Sequence, residues 1–181
     1  EQYDAARIVD LANPAAFPES TFVLQGIRHL TGGTGADVFY GDTFRNNLSG
    51  NSGNDSLFGR SGNDSLAGDS GNDALFGGAD LDLMLGGLGN DMLKGGDGAD
   101  NLYGGDGNDL IFGDGGDDYI EGGAGNDLIY GGAGVDFVSG GLGNDTLRAT
   151  DAGDTLFGAE GDDVLIVRSS VDAVDGGVGI D

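Results

Sequence analysis

The sequence repeats every nine residues from Gly32 to its last residue, and no insertion breaks the frame. Counted from Gly32, the first position of the repeat is glycine in 15 of 17 copies, and the sixth is aspartate in 16 of 17. The eighth position is apolar in all 16 complete copies. A low-complexity linker would not hold one phase over so many residues. The period therefore predicts a repeat architecture in which each copy is one structural unit.

The pattern within each repeat predicts a three-residue strand at positions seven to nine and a turn at positions one to six. Side chains alternate faces along a strand, so position eight points inward while seven and nine point outward. Glycines in the turn permit positive φ and close approach of stacked backbones. Two repeats then form an 18-residue coil, and about eight such coils stack into two parallel sheets around one apolar column. That predicted column comprises Phe39, Leu48, Leu57, Leu66, Leu75, Met84, Leu93, Leu102, Ile111, Ile120, Ile129, Val138, Leu147, Leu156, Leu165 and Val174.

The charge of the chain is strongly negative. Thirty-two acidic residues face seven Lys and Arg, for a formal charge of −25. This excess argues against nucleic acid or an anionic membrane surface as a partner. High charge with 40 glycines is also typical of a disordered chain, and we expect disorder in the metal-free state. The chain has no cysteine and therefore no disulfide, and no apolar stretch approaches the ~18 residues of a membrane span.

The aspartates at position six indicate a metal. Stacked coils would bring them within a strand spacing of ~5 Å, where like charges oppose folding. Ca²⁺ takes six to eight oxygen ligands, including carboxylates and the backbone carbonyls that glycine turns expose. Zn²⁺ would favour His or Cys, of which the chain has only His29, and Mg²⁺ is a poorer match because it retains water in strict octahedra. We therefore predict calcium binding, and a chain that does not fold without it.

The repeats GGLGNDMLK at 86–94 and GGDGNDLIF at 104–112 show the consensus G-G-x-G-x-D-x-U-x, where U is apolar. This consensus resembles the RTX (repeats-in-toxin, haemolysin-type calcium-binding) nonapeptide, and the resemblance covers residues 32–181. It implies a right-handed parallel β-roll, or β-solenoid, that binds calcium and belongs to extracellular proteins exported by type I secretion. It also implies that each ion lies between two turns that are two repeats apart. The implied ligands are carbonyls of positions two and four in one turn, carbonyls of positions one and three in the next, and both aspartates.

The turns form two rows. The first row comprises the turn that starts at residue 32 and every second turn after it, and the second row comprises the turn that starts at residue 41 and every second turn after it. All nine turns of the first row have the aspartate and both glycines, which predicts eight ions. The second row begins with Arg45 and Asn46 and loses its glycines in its last two turns, which predicts three or four ions between residues 59 and 136. The total is eleven or twelve calcium ions.

By this resemblance, the carboxylate ligands are Asp37, Asp55, Asp73, Asp91, Asp109, Asp127, Asp145, Asp163 and Asp181 in the first row and Asp64, Asp82, Asp100, Asp118 and Asp136 in the second. The carbonyl ligands in the first row are Gly33, Gly35, Gly50, Ser52, Gly53, Gly68, Ser70, Gly71, Gly86, Gly87, Leu88, Gly89, Gly104, Gly105, Asp106, Gly107, Gly122, Gly123, Ala124, Gly125, Gly140, Gly141, Leu142, Gly143, Gly158, Glu160, Gly161, Gly176 and Val178. Those in the second row are Gly62, Gly77, Ala79, Gly95, Gly96, Asp97, Gly98, Gly113, Gly115, Gly116, Gly131 and Ala133.

Residues 1–31 do not follow the nine-residue frame cleanly, and residues 32–181 form the predicted calcium-binding β-roll. We expect 1–31 to be an irregular N-terminal cap, or alternatively the end of a preceding array, because a solenoid needs its ends covered. We interpret His29 as a residue of this cap rather than as a ligand. The chain lacks an initiator Met and a signal core, and it stops within the pattern, so we expect a fragment of a longer protein.

One outer face is predicted to have an aromatic ladder, interrupted by Lys94 and formed by Tyr40, Phe58, Phe76, Phe112 and Tyr130. Such a ladder stabilises a parallel sheet, or it packs against another domain or another copy of the chain. Both interpretations stay open at this point.

Three functions are compatible with the sequence. The leading hypothesis is a calcium-induced folding module of an extracellular protein. The alternatives are a rigid segment of an adhesin or surface-layer protein and an accessory C-terminal module of a secreted enzyme. The sequence contains no H-E-x-x-H and no G-x-S-x-G, and none of its GxGxxG-like strings opens a predicted helix, so we expect no catalytic activity within the chain.

Overall fold

The computed structural model describes residues 28–169 and 172–181, and within these ranges the chain forms 17 strands and no helix. The strands are β1 (His29–Thr31), β2 (Val38–Tyr40), β3 (Asn47–Ser49), β4 (Ser56–Ser61), β5 (Ser65–Ser70), β6 (Ala74–Ala79), β7 (Leu83–Leu88), β8 (Met92–Asp97), β9 (Asn101–Asp106), β10 (Leu110–Gly115), β11 (Tyr119–Ala124), β12 (Leu128–Ala133), β13 (Phe137–Leu142), β14 (Thr146–Arg148), β15 (Thr155–Glu160), β16 (Val164–Ile166) and β17 (Ala173–Val178). No helix in these ranges has the length and apolar character needed to cross a membrane.

The strands alternate between two parallel sheets. The odd-numbered strands form a nine-stranded sheet and the even-numbered strands an eight-stranded sheet, each in sequence order. Every pairing joins residues that are two repeats apart, as in Leu110 with Leu128 and Ile120 with Val138. Each coil therefore contributes one strand to each sheet. The predicted all-β, parallel β-solenoid of about eight 18-residue coils is confirmed.

The core is the single apolar column predicted at position eight. Fourteen of the sixteen predicted side chains are buried, and Leu30 extends the column by one repeat. The two exceptions lie in the last coil, where Leu165 is partly buried and Val174 is 49% exposed. One side chain per strand thus fills the space between the sheets, which makes a narrow core.

The strands are longer than the three residues that the sequence predicted. Most span six residues, from position seven through position three of the next repeat, as in Leu110–Gly115. Pairing skips the first glycine and resumes at positions two and three, where Asp114 faces Gly132 and Gly115 faces Ala133. The turn is therefore confined to positions four to six. The prediction was wrong at this point because backbone pairing between coils continues through glycine-rich positions that have no side-chain signal.

The predicted N-terminal cap falls mostly outside the described residues, which begin at residue 28. Its last residues form β1, which pairs with β3 through Leu30 and Leu48. Leu30 is 4% exposed, whereas His29 beside it is exposed.

The outer face of the even sheet carries the predicted aromatic ladder. The ring centroids of Tyr40 and Phe58 and those of Phe58 and Phe76 lie 4.7 Å apart with nearly parallel planes, and Phe112 stacks on Tyr130 at 5.0 Å. Lys94 interrupts the ladder, and its Nζ lies 3.2 Å from the Oδ2 of Asp114. Because the rings of neighbouring strands stack face to face, the ladder stabilises its own sheet. The other interpretation, packing against another domain or copy, stays a hypothesis.

The odd sheet has a second run of aromatic residues that the sequence analysis did not identify. Tyr119 stacks on Phe137 at 5.1 Å, with Tyr103 and Phe157 tilted against the two ends of this pair at 5.8 and 5.5 Å. Tyr103 and Phe157 occupy position nine and the central pair occupies position seven, so the run is displaced toward position seven at its centre.

Candidate metal centre

The aspartate at position six follows the turn and precedes the next strand, and its side chain is buried between coils. The aspartates at this position from Asp37 to Asp163 are at most 3% exposed. In each row, one carboxylate oxygen accepts a hydrogen bond from the backbone N–H of the aspartate one coil earlier. The N–H of Asp91 donates to Oδ1 of Asp109 over 2.8 Å, and the N–H of Asp100 donates to Oδ1 of Asp118 over the same distance. The aspartates are therefore fixed in position by the stacking of coils.

In the described part of the chain, one oxygen of each position-six aspartate from Asp37 to Asp163 has no hydrogen-bond partner. Oδ2 is buried without a hydrogen bond in Asp55, Asp64, Asp73, Asp82, Asp91, Asp100, Asp109, Asp118, Asp127, Asp136, Asp145, Asp154 and Asp163. In Asp37 the unpartnered oxygen is Oδ1, because Oδ2 accepts the N–H of Gly33 at 2.9 Å. A buried carboxylate oxygen without a partner is costly, so rows of them indicate that a cation completes the site.

The first glycine of each turn provides space beside this oxygen. A Cβ built on Gly104 would collide with Oδ2 of Asp109 in the same turn and with the carbonyl oxygen of Gly122 in the next coil. The same pair of oxygens surrounds Gly50, where they belong to Asp55 and Gly68. Two oxygens thus converge on a place that only glycine leaves open, and both are ligands of the type that Ca²⁺ takes.

Glycines at positions two and four bring further carbonyls between the coils. A Cβ on Gly105 would meet the carbonyl oxygen of Gly87, and a Cβ on Gly107 would meet that of Gly89, in both cases one coil earlier. Both glycines have positive φ, 113° and 136°, which residues with a side chain rarely adopt. The predicted ligand carbonyls of positions one, two and four therefore all lie at the boundary between consecutive coils.

The carbonyl of position three has a second role. In the first row it accepts the N–H of position four from the preceding coil, as in the 2.7 Å hydrogen bond from Gly89 to Asp106. A carbonyl has two lone pairs, so this bond leaves one for a cation.

Burial and mutual repulsion raise the pKa of these carboxyls. For Asp82, Asp118 and Asp127 the pKa rises to about 7, first because burial disfavours the charged form and further because neighbouring aspartates repel it. The hydrogen bond from the preceding backbone N–H opposes the rise without cancelling it. The pKa rises to about 6 in Asp55, Asp64, Asp91, Asp136 and Asp145 for the same reasons. The protein alone does not neutralise this charge.

Among the described residues, no group of three or more His, Cys, Asp or Glu side chains is arranged to hold a metal. The gap between two coils instead offers one carboxylate from each coil and the backbone carbonyls of both turns. This donor set consists entirely of oxygen and is rich in carbonyls, which fits a hard cation with many ligands and flexible geometry such as Ca²⁺. The predicted aspartates and turn carbonyls thus lie at the boundaries between coils, and their role as ligands stays a prediction.

The two ends of the second row differ from its centre. At its start, Asn46 replaces the aspartate, and its Oδ1 accepts a hydrogen bond from the N–H of Asp42 at 2.8 Å. In the preceding turn, Oδ2 of Asp37 accepts the equivalent bond from the N–H of Gly33. At its end, Asp172 accepts one hydrogen bond from the N–H of Ser169 in its own turn and one from the N–H of Gly153 in the preceding coil. Neither residue was predicted as a ligand.

Asp154 was left out of the predicted ligands, yet the structure places it like the others. Its Oδ1 accepts the N–H of Asp136 at 2.9 Å, its Oδ2 has no partner, and it is 1% exposed. The nine-residue frame already put an aspartate at this position. The sequence analysis excluded it because its turn has Ala149 and Ala152 where other turns have glycine.

A ladder of asparagines at position five orders the first row. The backbone N–H of Asn108 donates to Oδ1 of Asn90 over 2.7 Å, and the same bond joins the neighbouring coils from Asn54 to Asn144. In these bonds the N–H donates to the side chain of the preceding coil, whereas the N–H of each adjacent aspartate donates to the side chain of the next coil. The asparagines were visible in the sequence, but their role depends on the turn conformation.

A comparison with protein families agrees with this geometry. The family model of the RTX calcium-binding nonapeptide repeat, which represents four copies, matches residues 31–66, 49–84, 58–93, 85–120, 94–129, 112–147 and 148–181. Together these matches span residues 31–181. Among curated proteins, none matches the chain.

Proposed function

The chain belongs to the RTX calcium-binding nonapeptide repeat family, and from this membership we propose that it is a module that folds when it binds calcium and that serves an exported protein. The family and the β-solenoid together identify a calcium-binding module. The coupling of binding to folding, the route of export and the number of ions are the proposal.

The observation that carries the proposal is the pair of buried carboxylate rows. Each aspartate is held by a backbone N–H of the preceding coil and keeps one buried oxygen without a partner, as Asp109 does. Burial and repulsion raise the pKa of these groups, so the charged form disfavours this fold near neutral pH. Bound calcium supplies the positive charge that these oxygens lack, and its binding free energy becomes folding free energy when the site does not exist in the unfolded chain.

The residues that would hold each ion follow from the convergence of oxygens between coils. In the gap between turns 104–109 and 122–127, Asp109 and Asp127 supply the carboxylates. The first-glycine carbonyl of Gly122 lies beside Oδ2 of Asp109, which brings ligands of both coils together. The glycines keep this gap free of side chains, so a cation would reach carbonyls and carboxylates at the same time.

We propose eleven or twelve calcium ions, eight of them in the first row. These ions would carry between +22 and +24 charges against the −25 of the chain. The acidic excess would then be almost balanced in the folded state. Without the ions the same charges repel one another along two rows. The narrow apolar core stabilises the fold too little to offset this repulsion.

The proposed setting is extracellular, with export by type I secretion. This proposal is supported by the family, whose resemblance implies that route, and by the acidic sequence, which would stay unfolded at the low calcium of the cytosol. Extracellular calcium modules typically bind at 10⁻⁴–10⁻³ M, so such a chain would fold after export. We further propose that the chain itself is not catalytic. The adhesin and enzyme-module alternatives stay predictions about a longer protein.

The number and type of bound ions test the proposal. The chain is dialysed against calcium, magnesium or zinc at equal concentration, and bound metal is measured by mass spectrometry of the separated protein. We expect eleven or twelve calcium ions per chain, and fewer magnesium or zinc ions. Equal occupancy by zinc, or only one or two calcium ions, would contradict it.

A further inference from the structure

The first turn of each row has a carbonyl that accepts a hydrogen bond from a side chain of the next coil. The amide Nδ2 of Asn51 donates to the carbonyl oxygen of Gly32 over 2.6 Å. The guanidinium Nη1 of Arg60 donates to the carbonyl oxygen of Gly41 over 3.1 Å. Gly32 and Gly41 are the first glycines of the first and second rows, and both donors occupy position two.

In later turns the same carbonyl has a different neighbour. The first-glycine carbonyl of Gly50 lies beside Oδ2 of Asp37, in the preceding turn of its row. Gly41 has no such carboxylate ahead of it, because the nine-residue frame puts Arg28 at position six of the preceding turn. The guanidinium of Arg28 lies 5.7 Å from the ring centre of Phe44. The carbonyl of Gly41 therefore lacks an acidic partner, whereas the carbonyls of Gly77, Gly95, Gly113 and Gly131 in the same row each lie beside Oδ2 of an aspartate in the preceding turn.

Both donors adopt a backbone conformation that favours glycine. Asn51 has φ = 70° and Arg60 has φ = 83°, at a position where most turns have glycine. A long unbranched side chain at positive φ is uncommon and indicates a local requirement. In Arg60 the side chain also lies over the ring of Tyr40, at 5.2 Å from the ring centre, so it is held from two sides.

We propose that Asn51 and Arg60 are caps, which close the carbonyls of Gly32 and Gly41 with an N–H donor in the place that a metal ion takes in the regular turns. The inference rests on the proposed function, because it assigns these donors the role that calcium has elsewhere. The relation is that of a helix cap, in which a side chain satisfies a backbone group whose regular partner is missing. The carbonyls of Gly32 and Gly41 are then held by side chains of the next coil and not by an ion.

The far end of the second row shows a related bond. Thr150, also at position two, donates from Oγ1 to the carbonyl oxygen of Gly132 in the preceding coil. Turn 149–154 is the first of the two turns that lack the glycines. Side-chain donors from position two are therefore found where a row begins and where its regular pattern ends.

The test replaces each donor by glycine, the residue that the regular turns have at this position. Asn51→Gly and Arg60→Gly relieve the positive φ and remove the donor, and Arg60→Gly also removes the contact with the Tyr40 ring. Ala159→Gly is the matched control, because Ala159 has the same φ of 83° at position two but no donor. Hydrogen exchange is measured at saturating calcium on the full chain, together with the number of bound ions.

We expect faster exchange of the Gly32 amide in Asn51→Gly and of the Gly41 amide in Arg60→Gly. These amides bond to Ser49 and Phe58, so they report on the first coils. The increase should be roughly five- to tenfold, the size expected for one lost hydrogen bond. The number of bound calcium ions should not change. In the control, the Gly143 amide, which bonds to Glu160, should exchange no faster than in the parent chain.

Two results would contradict the proposal that Asn51 and Arg60 are caps while leaving the proposed function intact. One is unchanged exchange at Gly32 and Gly41 in the variants, and the other is a gain of a bound ion, which would show that the side chains merely block a metal site. If the parent chain gains no protection from calcium, the proposed function fails, and the caps fail with it.

Discussion

The backbone N–H of Asp91 donates to Oδ1 of Asp109 over 2.8 Å, and this bond leaves Oδ2 of Asp109 buried without a partner. One carboxylate thus has two tasks, because it links two coils through one oxygen and offers the other to a cation. The link explains why the aspartate is constant while its neighbours vary. It also explains why the coils cannot stack without bringing charge together.

Asp109→Asn should weaken calcium-induced folding. The amide keeps an oxygen for the Asp91 N–H but removes a charge shared by the gaps on both sides. Hydrogen bonds and contacts of charged groups contribute about 1.5–3 kcal/mol, so the free energy of calcium-induced folding should fall by about this amount and the calcium concentration at half-folding should rise. Calcium titration followed by circular dichroism measures this midpoint.

The control for that variant is Asp106→Asn, three residues earlier. Asp106 is exposed, and its predicted ligand atom is the backbone carbonyl, which the substitution retains. Its midpoint should match that of the parent chain, because a surface change alters the free energy of folding by no more than about 0.5 kcal/mol. Equal shifts in both variants would mean that total charge, and not the buried position, controls folding.

Gly104→Ala should disrupt one site sterically. The added Cβ would collide with Oδ2 of Asp109 and with the carbonyl of Gly122. Overpacking of this kind costs about 1–3 kcal/mol, and here it also displaces two ligands. Thermal unfolding at saturating calcium should show a lower midpoint and one fewer bound ion.

Gly115→Ala is the matched control for this prediction. A Cβ on Gly115 has no neighbour closer than 3.8 Å, and its φ is not positive. The midpoint and ion count of this variant should be unchanged. If Gly104→Ala were tolerated equally well, the first glycine would not be needed to keep the gap open.

Acid should partly replace calcium in the metal-free chain. The pKa of Asp82, Asp118 and Asp127 is raised to about 7 in the fold, against an ordinary value near 3.9, chiefly by burial and then by neighbouring aspartates. A raised pKa means that the fold binds protons more tightly than the unfolded chain does. This contribution to stability is therefore complete below about pH 4 and is lost as the pH rises through about 7.

Circular dichroism in EDTA over that pH range measures the effect. We expect β-structure to increase as the pH falls, and calcium affinity to fall over the same range because protons compete for the carboxylates. A metal-free chain whose structure is independent of pH between about 4 and 8 would contradict the pKa shifts.

The aromatic ladder should stabilise its sheet without forming an interface. Phe58 stacks on both Tyr40 and Phe76, so Phe58→Thr removes two ring contacts of about 0.5–1.5 kcal/mol each. Thermal unfolding should occur at lower temperature, while light scattering at saturating calcium should give the same molar mass for both proteins. A larger assembly of the parent chain that dissociates in the variant would instead show that the ladder is a contact surface.

The sequence predicted the parts of this fold that depend on periodicity. Leu93, Ile111 and Ile129 lie in the core because position eight is always apolar, and the stacking of every second repeat follows from two strands per coil. The aspartate rows were predictable for the same reason, since position six of each turn stacks on position six of the turn two repeats away.

Other features depend on backbone conformation, which residue type alone does not determine. The Oδ1 bond of Asp109 and the role of Asn90 require the turn geometry, because each carboxylate or amide bonds to a different coil. Arg60 reaches Gly41 only because its φ is positive. Asp154 was missed because glycine content was used as the criterion, although its position in the frame was correct.

The most direct test of the central claim is the structure of the chain with and without calcium. Far-ultraviolet circular dichroism and size-exclusion chromatography are recorded in EDTA at neutral pH and again at about 10 mM calcium, above the affinities typical of extracellular calcium modules. The account predicts an expanded chain without regular structure in EDTA, and a steep, reversible transition to a compact β-rich form on addition of calcium. A compact β-rich chain in excess EDTA, or no response to calcium, would contradict it.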